Sequence, residues 1–242
     1  FYIMAEEKWF EGEVTRIVDA TSNTKQFFFK LPHTYDFQFK PGQFITMDLP
    51  IHEKPNKRWR SYSIASCPDH TNTFELLIVK AEGGAGTSYL FDEVQVGTEI
   101  PFRGPQGVFG LPKDLSIDTF FICTGTGIAP FRSMVRYLYE TQTPIGQLHL
   151  VFGCRKKEDL LYYQELKELE KNFPGFHYHP VLSRENWEGR SGYVHPVYEE
   201  LCQAKQPAQF LLCGWKNMID EAITRIQALG YDKKQIHREI YG

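Results

Sequence analysis

The chain has 242 residues, 42% hydrophobic and 24% charged, the balance of a globular protein with length for two domains rather than of a disordered one. A net charge of −3 supplies no basic field to recruit nucleic acid, and no apolar run is long enough for membrane insertion or a secretory leader, so a cytoplasmic protein is expected. The five cysteines (Cys67, Cys123, Cys154, Cys202 and Cys213) are scattered with no CxxC, which leaves disulfide, zinc and iron–sulfur frameworks unsupported; no metal is expected.

From residue 8 to about 112 the pattern is of short β-type runs with turns between them. GEVTRIVDAT, TKQFFFKL, GQFITMDL, RSYSIAS, FELLIVKA and TEIPFRG read as strands. PG at 41–42, GG at 83–84 and GP at 104–105 punctuate them, and one helix is predicted over TSYLFDEV at 87–94, with Thr87 as its cap. Six short strands and one helix suggest a small antiparallel barrel. After LPKDLSID the rhythm changes. Strand TFFICT, helix APFRSMVRYLYET, strand QLHLVFG, helix EDLLYYQELKELEKNF, strand FHYHPVL and helix HPVYEELCQ follow, then strand QFLLCG, helix KNMIDEAITRIQALG and strand QIHREIY. Alternation of this kind predicts βαβ units and a mostly parallel sheet. With the change at residues 112–117, the expected domains are 1–114 (antiparallel β-barrel) and 115–242 (α/β).

Three stretches carry chemistry. In RSYSIAS, strand alternation places Arg60, Tyr62 and a serine on one face: a cation, an aromatic ring and a hydroxyl, suited to a solvated sheet surface or to a planar anionic ligand. In the second half, Gly125, Thr126, Gly127 and Pro130 lie between a strand and a helix. There backbone can approach a phosphate and the helix N-terminus offers free N–H groups; a tight βα turn would look the same. In the first half, Gly84, Gly86, Thr87 and Ser88 open the barrel helix in a similar way, or form a hairpin turn and a cap. His177 and His179 alternate on a strand with no Cys or carboxylate partner implied, which favours a solvated sheet face over metal ligation.

RSYSIAS, GGAGTSYL, CTGTGIAPFRSM, LLCGWKNM and the terminal REIYG, in this order, resemble the ferredoxin–NADP+ reductase superfamily over essentially the whole chain. The resemblance implies an FAD-binding antiparallel β-barrel domain, a Rossmann-like NAD(P)-binding α/β domain, and hydride transfer between the two rings at the domain interface. It assigns Arg60 to the FAD pyrophosphate, Tyr62 to the flavin ring, and Ser63 to a position near flavin N5 and nicotinamide C4. Gly84, Gly86, Thr87 and Ser88 match the second FAD motif, with Thr87 where serine is usual. Thr124, Gly125, Thr126, Gly127 and Pro130 match the nicotinamide-pyrophosphate loop. Cys213 and Gly214 match the pair flanking the nicotinamide, although Trp215 stands where proline is common. Glu239 and Tyr241 match the carboxylate that assists proton relay and nicotinamide docking and the ring that stacks on the flavin, except that Gly242 follows here. Ser63, Cys213 and Glu239 are thus the catalytic candidates, tuning position and proton access; direct hydride transfer needs rings held close rather than a nucleophile or a strong acid.

The resemblance implies a stand-alone reductase passing single electrons to a separate carrier: a ferredoxin, a flavodoxin or an oxygenase component. An electron-transfer subunit of a larger complex and a non-catalytic flavin-binding module are the alternatives. Lys54, Lys57 and Arg58 could face the acceptor or belong to a solvated loop. Between NADPH and NADH, Ser183 and Arg184 look like the pair that NADP-specific relatives use, and Arg190 and Tyr193 lie in GRSGYV. WEGRSGYV also resembles segments of NADH users, so the reading leans only slightly to NADPH. Arg184→Ala is expected to raise KM for NADPH far more than for NADH in steady-state assays; equal effects on both would remove this argument.

Overall fold

A computed structural model describes residues 8–241, which divide into two compact units. The first runs to Gly110 and includes Arg132–Met134; the second comprises Leu111–Phe131 and the chain from Val135. The first holds strands β1 (Trp9–Thr21), β2 (Thr24–Lys30), β3 (Phe44–Asp48), β4 (Trp59–Ser63), β5 (Thr73–Val79) and β6 (Glu99–Gln106), with helix α1 (Ala85–Asp92). They form one antiparallel sheet in the order β4-β3-β6-β1-β2-β5. An isolated bridge from Ile64 to Leu76 draws the β4 and β5 edges together, which gives the sheet its barrel character.

Alternation along β2 explains the core. Phe27 and Phe29 are fully buried, and Phe29 stacks on Phe74 from β5 with ring centroids 5.1 Å apart. Phe102 of β6 meets Phe74 edge to face at 5.2 Å, so much of the unusual phenylalanine content is barrel filling. The β4 phase corrects one expectation. Arg60 and Tyr62 share a face, but Ser61 and Ser63 lie one residue off and point to the other, where Ser61 Oγ meets Thr46 Oγ1 at 2.9 Å. Helix α1 also starts earlier than predicted, with Gly84 rather than Thr87 at the N-cap.

The second unit is a parallel sheet in the order β10-β9-β8-β7-β11-β12. Its strands are β7 (Asp118–Thr124), β8 (Leu148–Cys154), β9 (Phe176–Leu182), β10 (Arg190–Ser191), β11 (Ala208–Trp215) and β12 (Ile236–Tyr241). Helices α2 (Ile128–Glu140), α3 (Tyr163–Asn172), α4 (His195–Leu201) and α5 (Lys216–Ala228) connect them. The strands run outward from β7 to β10, and the chain then returns to lay β11 on the other side of β7. The reversal point between β7 and β11 is where open α/β sheets leave a crevice for ligands. The helix predicted from residue 158 begins only at Tyr163, because Tyr162 takes a left-handed φ of 55° and a short 3-10 turn occupies Lys157–Asp159.

One row of rings crosses four strands of this sheet. Phe210, Phe120, His149 and His177 face one another in register, with successive centroids 5.2, 4.8 and 4.9 Å apart. His149 Nδ1 and His179 Nε2 share a 3.1 Å hydrogen bond, and His177 Nε2 bonds Gln147 Oε1 at 2.7 Å. The alternating histidines therefore belong to a half-buried stack rather than a solvated face. Among the described residues no group of three or more His, Cys, Asp or Glu side chains is arranged to hold a metal ion.

Burial, reinforced by His177, lowers His149 to about 4, with Asp118 opposing. Burial also lowers His179 to about 4, with His149, Arg190 and His177 acting in the same sense and Glu170 against it. Both rings stay neutral in the native sheet, while in the unfolded chain they titrate near 6.5. Above that pH neither state takes up a proton and nothing is lost. As pH falls from 6.5 towards 4 the unfolded state gains protons that the native state refuses, so stability falls. Between pH 7 and 5, His149 is expected to cost about 2 kcal/mol. Denaturant unfolding of His149→Phe should accordingly show a flatter pH dependence than wild type; identical slopes would contradict the assignment.

Candidate functional site

In the first unit, β4 and the start of α1 build one seat. Arg60 Nη1 donates to Lys57 O at 3.1 Å and Trp59 O at 2.7 Å, which fixes the guanidinium. A Cβ on Gly86 would lie 2.9 Å from Arg60 Cγ and 3.1 Å from Arg60 Nε, so the arginine stem lies flat against the first turn of α1. Only glycine permits that approach. The result is a guanidinium beside the free amides of a helix N-terminus, the chemistry that holds a diphosphate. Tyr62 packs on the barrel core, and its burial pushes the phenol up to about 12 against the lowering effect of Arg60, so it presents a neutral ring. Ser63 is buried at the end of β4, paired in register with Phe44. The Thr87 hydroxyl is engaged within its own loop. It accepts from Ala81 N at 3.1 Å and donates to Gly84 O at 3.1 Å, so it shapes the turn. Ser88 stands in α1, its amide donating to Gly84 O.

In the second unit, a second seat lies at the C-terminal ends of β7 and β11. Gly125–Gly127 forms a 3-10 turn running into α2, and Gly125 has a φ of 53° with nothing within 4 Å of its missing Cβ. A Cβ on Gly127 would meet Cys213 O at 2.5 Å and Gly214 N at 2.9 Å. A Cβ on Gly214, whose φ is 138°, would meet Thr124 Oγ1 at 2.7 Å. Two turns thus close backbone to backbone; the Ile128 N–H is already bonded to Gly125 O and Pro130 has no N–H, which leaves the amides of Thr126, Gly127 and Ala129 as the candidate donors at this helix start. The Thr124 hydroxyl oxygen is buried there without a hydrogen-bond partner, an orphan suited to a polar ligand.

Beside that turn Cys213 is fully buried, and its thiol is pushed well up, first by burial and then by Glu239 and Cys123, against a hydrogen bond from the Tyr241 hydroxyl. A neutral buried thiol is no nucleophile. In the parallel β11–β12 ladder Cys213 pairs with Glu239, Gly214 with Ile240, and Trp215 with Tyr241. Glu239 and Tyr241 are therefore strand neighbours of the Cys213–Trp215 segment. Gly242 lies outside the described residues.

Towards the β9 edge the nucleotide-selectivity candidates separate. Ser183 Oγ donates to Cys154 O at 3.2 Å, and Arg184 N donates to Arg155 O at 2.9 Å, which ties the segment to the end of β8. Arg184 lines a groove of about 530 Å³ with Lys156, Lys157, Glu158 and Glu185. Arg190 instead pairs with Glu200 at 2.7 Å, while Tyr193 is exposed. Sequence reasoning missed Lys156 and Lys157. They stand nearly thirty residues from Arg184, and only the β8–β9 pairing joins the two strand ends; two lysines just after a parallel strand were the available signal.

Both seats fit the dinucleotides that the motifs imply: cradles that a Cβ would fill, helix amides, a fixed guanidinium in one and an orphan hydroxyl in the other. The family model for an oxidoreductase FAD-binding domain matches residues 11–110, and that for an oxidoreductase NAD-binding domain matches residues 121–223. Ferredoxin–NADP reductase B of Sorangium cellulosum (strain So ce56) is 32% identical over 98% of this chain and 100% of its own length. The glycine betaine monooxygenase reductase subunit of Pseudomonas aeruginosa (strain UCBPP-PA14) is 28% identical over 94% of this chain, which spans 63% of that protein. A crystal structure of a Neisseria gonorrhoeae ferredoxin NADP+ reductase with bound FAD and NADP superposes with a TM-score of 0.81. It shares 26% identity and covers 97% of this chain and 99% of its own. The Amycolatopsis cytochrome P450 reductase structure has a TM-score of 0.87 at 26% identity, over 96% of this chain and 69% of its own. With its barrel, its parallel sheet and a family model matching each, the chain belongs to the ferredoxin–NADP+ reductase superfamily of FAD- and NAD(P)-binding oxidoreductases.

Proposed function

We propose that this flavoenzyme draws a hydride from NADPH or NADH and hands electrons singly to a separate acceptor protein: a ferredoxin, a flavodoxin or an oxygenase component. The observation that carries the reading is the pair of diphosphate seats, Arg60 with Gly86 on α1 and Gly125–Gly127 with Gly214 on α2. When bound, the nicotinamide nucleotide would supply hydride, and FAD would supply the conversion of that two-electron input into single-electron output. The residues have simpler tasks. Arg60 and the first-turn amides of α1 hold the FAD diphosphate, with Gly86 leaving room and Thr87 bracing the loop. Tyr62, neutral because buried, offers an apolar face to the flavin. The Ser63 hydroxyl gives a hydrogen bond at the end of β4. The amides following Thr124 hold the nicotinamide diphosphate, and Thr124 offers its unpartnered hydroxyl. Cys213 packs as a neutral group, Glu239 beside it provides proton access, and Tyr241 closes the same strand end.

The assigned domains are 1–114 for FAD and 115–242 for NAD(P). Arg184 supports NADPH over NADH, since it has no ion pair among the described residues, whereas Lys156 in the same groove is paired with Glu158 at 3.5 Å and Glu185 also lines it. Arg190, paired with Glu200, and Tyr193 contribute position rather than free charge. Lys54 and Lys57 remain candidates for the acceptor face, whereas Arg58 is paired with Asp48 at 2.7 Å. Five free cysteines suit a reducing, cytoplasmic setting, and among the described residues no helix is long and apolar enough to cross a membrane. A second reading, an electron-transfer subunit of a larger oxygenase, is supported by the similarity to a monooxygenase reductase subunit. That reading predicts weak diaphorase activity alone and co-purification with a partner.

Purified protein should be yellow and should lose its flavin absorbance anaerobically when NADPH or NADH is added. A colourless preparation, or one that stays oxidised with both nucleotides, would favour a non-catalytic binding module instead.

A further inference from the structure

Trp215 breaks two local rules at once. It occupies the N-cap of α5, a position that rewards Ser, Thr, Asp or Asn, and its side chain makes no cap hydrogen bond. Its indole is 63% exposed and has neither hydrogen-bond nor ring partner among the described residues. A residue that neither caps nor packs, at the end of a strand bordering the switch-point crevice, marks a surface kept for something else. Its neighbour Gly214 is the residue whose missing Cβ leaves space against the unpartnered Thr124 hydroxyl. The orphan hydroxyl at the end of β7 and the exposed indole at the end of its neighbour β11 thus lie on the same edge of the parallel sheet.

Sheet order indicates which part of a dinucleotide would lie there. The diphosphate seat follows β7, in the middle. The cationic groove of Lys156 and Arg184 follows β8 and β9, on one side. Trp215 follows β11, on the other. With strands about 4.8 Å apart, the ends of β9 and β11 are separated by roughly 14 Å. A dinucleotide centred on the turn after β7, with its adenosine phosphate towards the cations, extends its nicotinamide towards β11.

Resting on the function proposed above, we propose that Trp215 is a stacking platform for the nicotinamide ring, a binding residue for that half of the dinucleotide. The indole gives an apolar face to a flat heteroaromatic ring, and Thr124 offers its hydroxyl to polar atoms at the same end.

The test uses the oxidised, FAD-loaded full chain and equilibrium calorimetry, with no turnover involved. The ligands are NADP+ or NAD+, whichever wild type binds more tightly, and the matching 2′-phospho-ADP-ribose or ADP-ribose, which lacks the nicotinamide. Trp215→Ala should weaken the complete dinucleotide about tenfold and leave the truncated ligand unchanged, while Trp215→Phe should retain most of the affinity. Indole fluorescence quenching by the dinucleotide, measured against Trp215→Phe, should come largely from this residue. Equal losses for both ligands, or no loss for either, would overturn the platform while leaving the nucleotide-binding reading intact. Wild-type protein that is yellow but binds neither ligand would overturn both.

Discussion

The nucleotide-binding half depends on one close backbone approach. The turn after β7 and the turn after β11 press together at the point where strand order reverses. Gly127 lies so near the Cys213 carbonyl that a methyl group would intrude at 2.5 Å. Gly214, with its positive φ, is held as tightly against Thr124. Nothing lies within 4 Å of the missing Cβ of Gly125, so the start of α2 is approachable there, and we propose that a diphosphate enters at that point. The first unit solves the same problem with Gly86, which lets Arg60 lie along α1. Each seat is a helix N-terminus made accessible by glycine, with a further polar group supplied by a neighbouring strand.

The side chains around these seats are largely uncharged, which suits chemistry in which hydride moves directly. Tyr62 is kept protonated to about 12 by burial, and the Cys213 thiol is pushed up by burial and by Glu239. Neither can act as a nucleophilic anion near neutral pH. Of the charges present, Arg60 and Arg184 suit phosphates, while Glu239 lies beside Cys213 and Glu158 and Glu185 share the groove with Arg184. Function in this architecture is mainly a matter of holding flat rings and anchoring anions, and the residues reflect that division.

Much of this was legible in the sequence because its signals are local. Strand alternation and turn residues pointed to the barrel, strand–helix alternation to the parallel sheet, and glycines to the turns that open α1 and α2. The misreadings arose where partners are distant or a single dihedral decides. Ser63 was grouped with Arg60 and Tyr62, although a residue of odd offset must point the other way on a strand. The start of α3 shifted to Tyr163 because Tyr162 adopts a left-handed conformation that composition does not reveal. The Arg190–Glu200 ion pair, the grouping of Lys156 with Arg184, and the ring row from Phe210 to His177 all require strand register. The exposure of Trp215 was equally hidden, since the sequence marked it only as a departure from the usual proline.

The central claim is that the glycine contact between the β7 and β11 turns forms the nicotinamide-nucleotide seat. Its most direct test is the dissociation constant of Gly127→Ala for NADP+ and NAD+, with flavin content and circular dichroism measured alongside. The backbone at residue 127 is helical, so alanine meets steric obstruction there and no conformational penalty. The account predicts at least a tenfold loss of affinity, about 1.4 kcal/mol, in a folded protein that keeps its FAD. Wild-type affinity in that variant would contradict it.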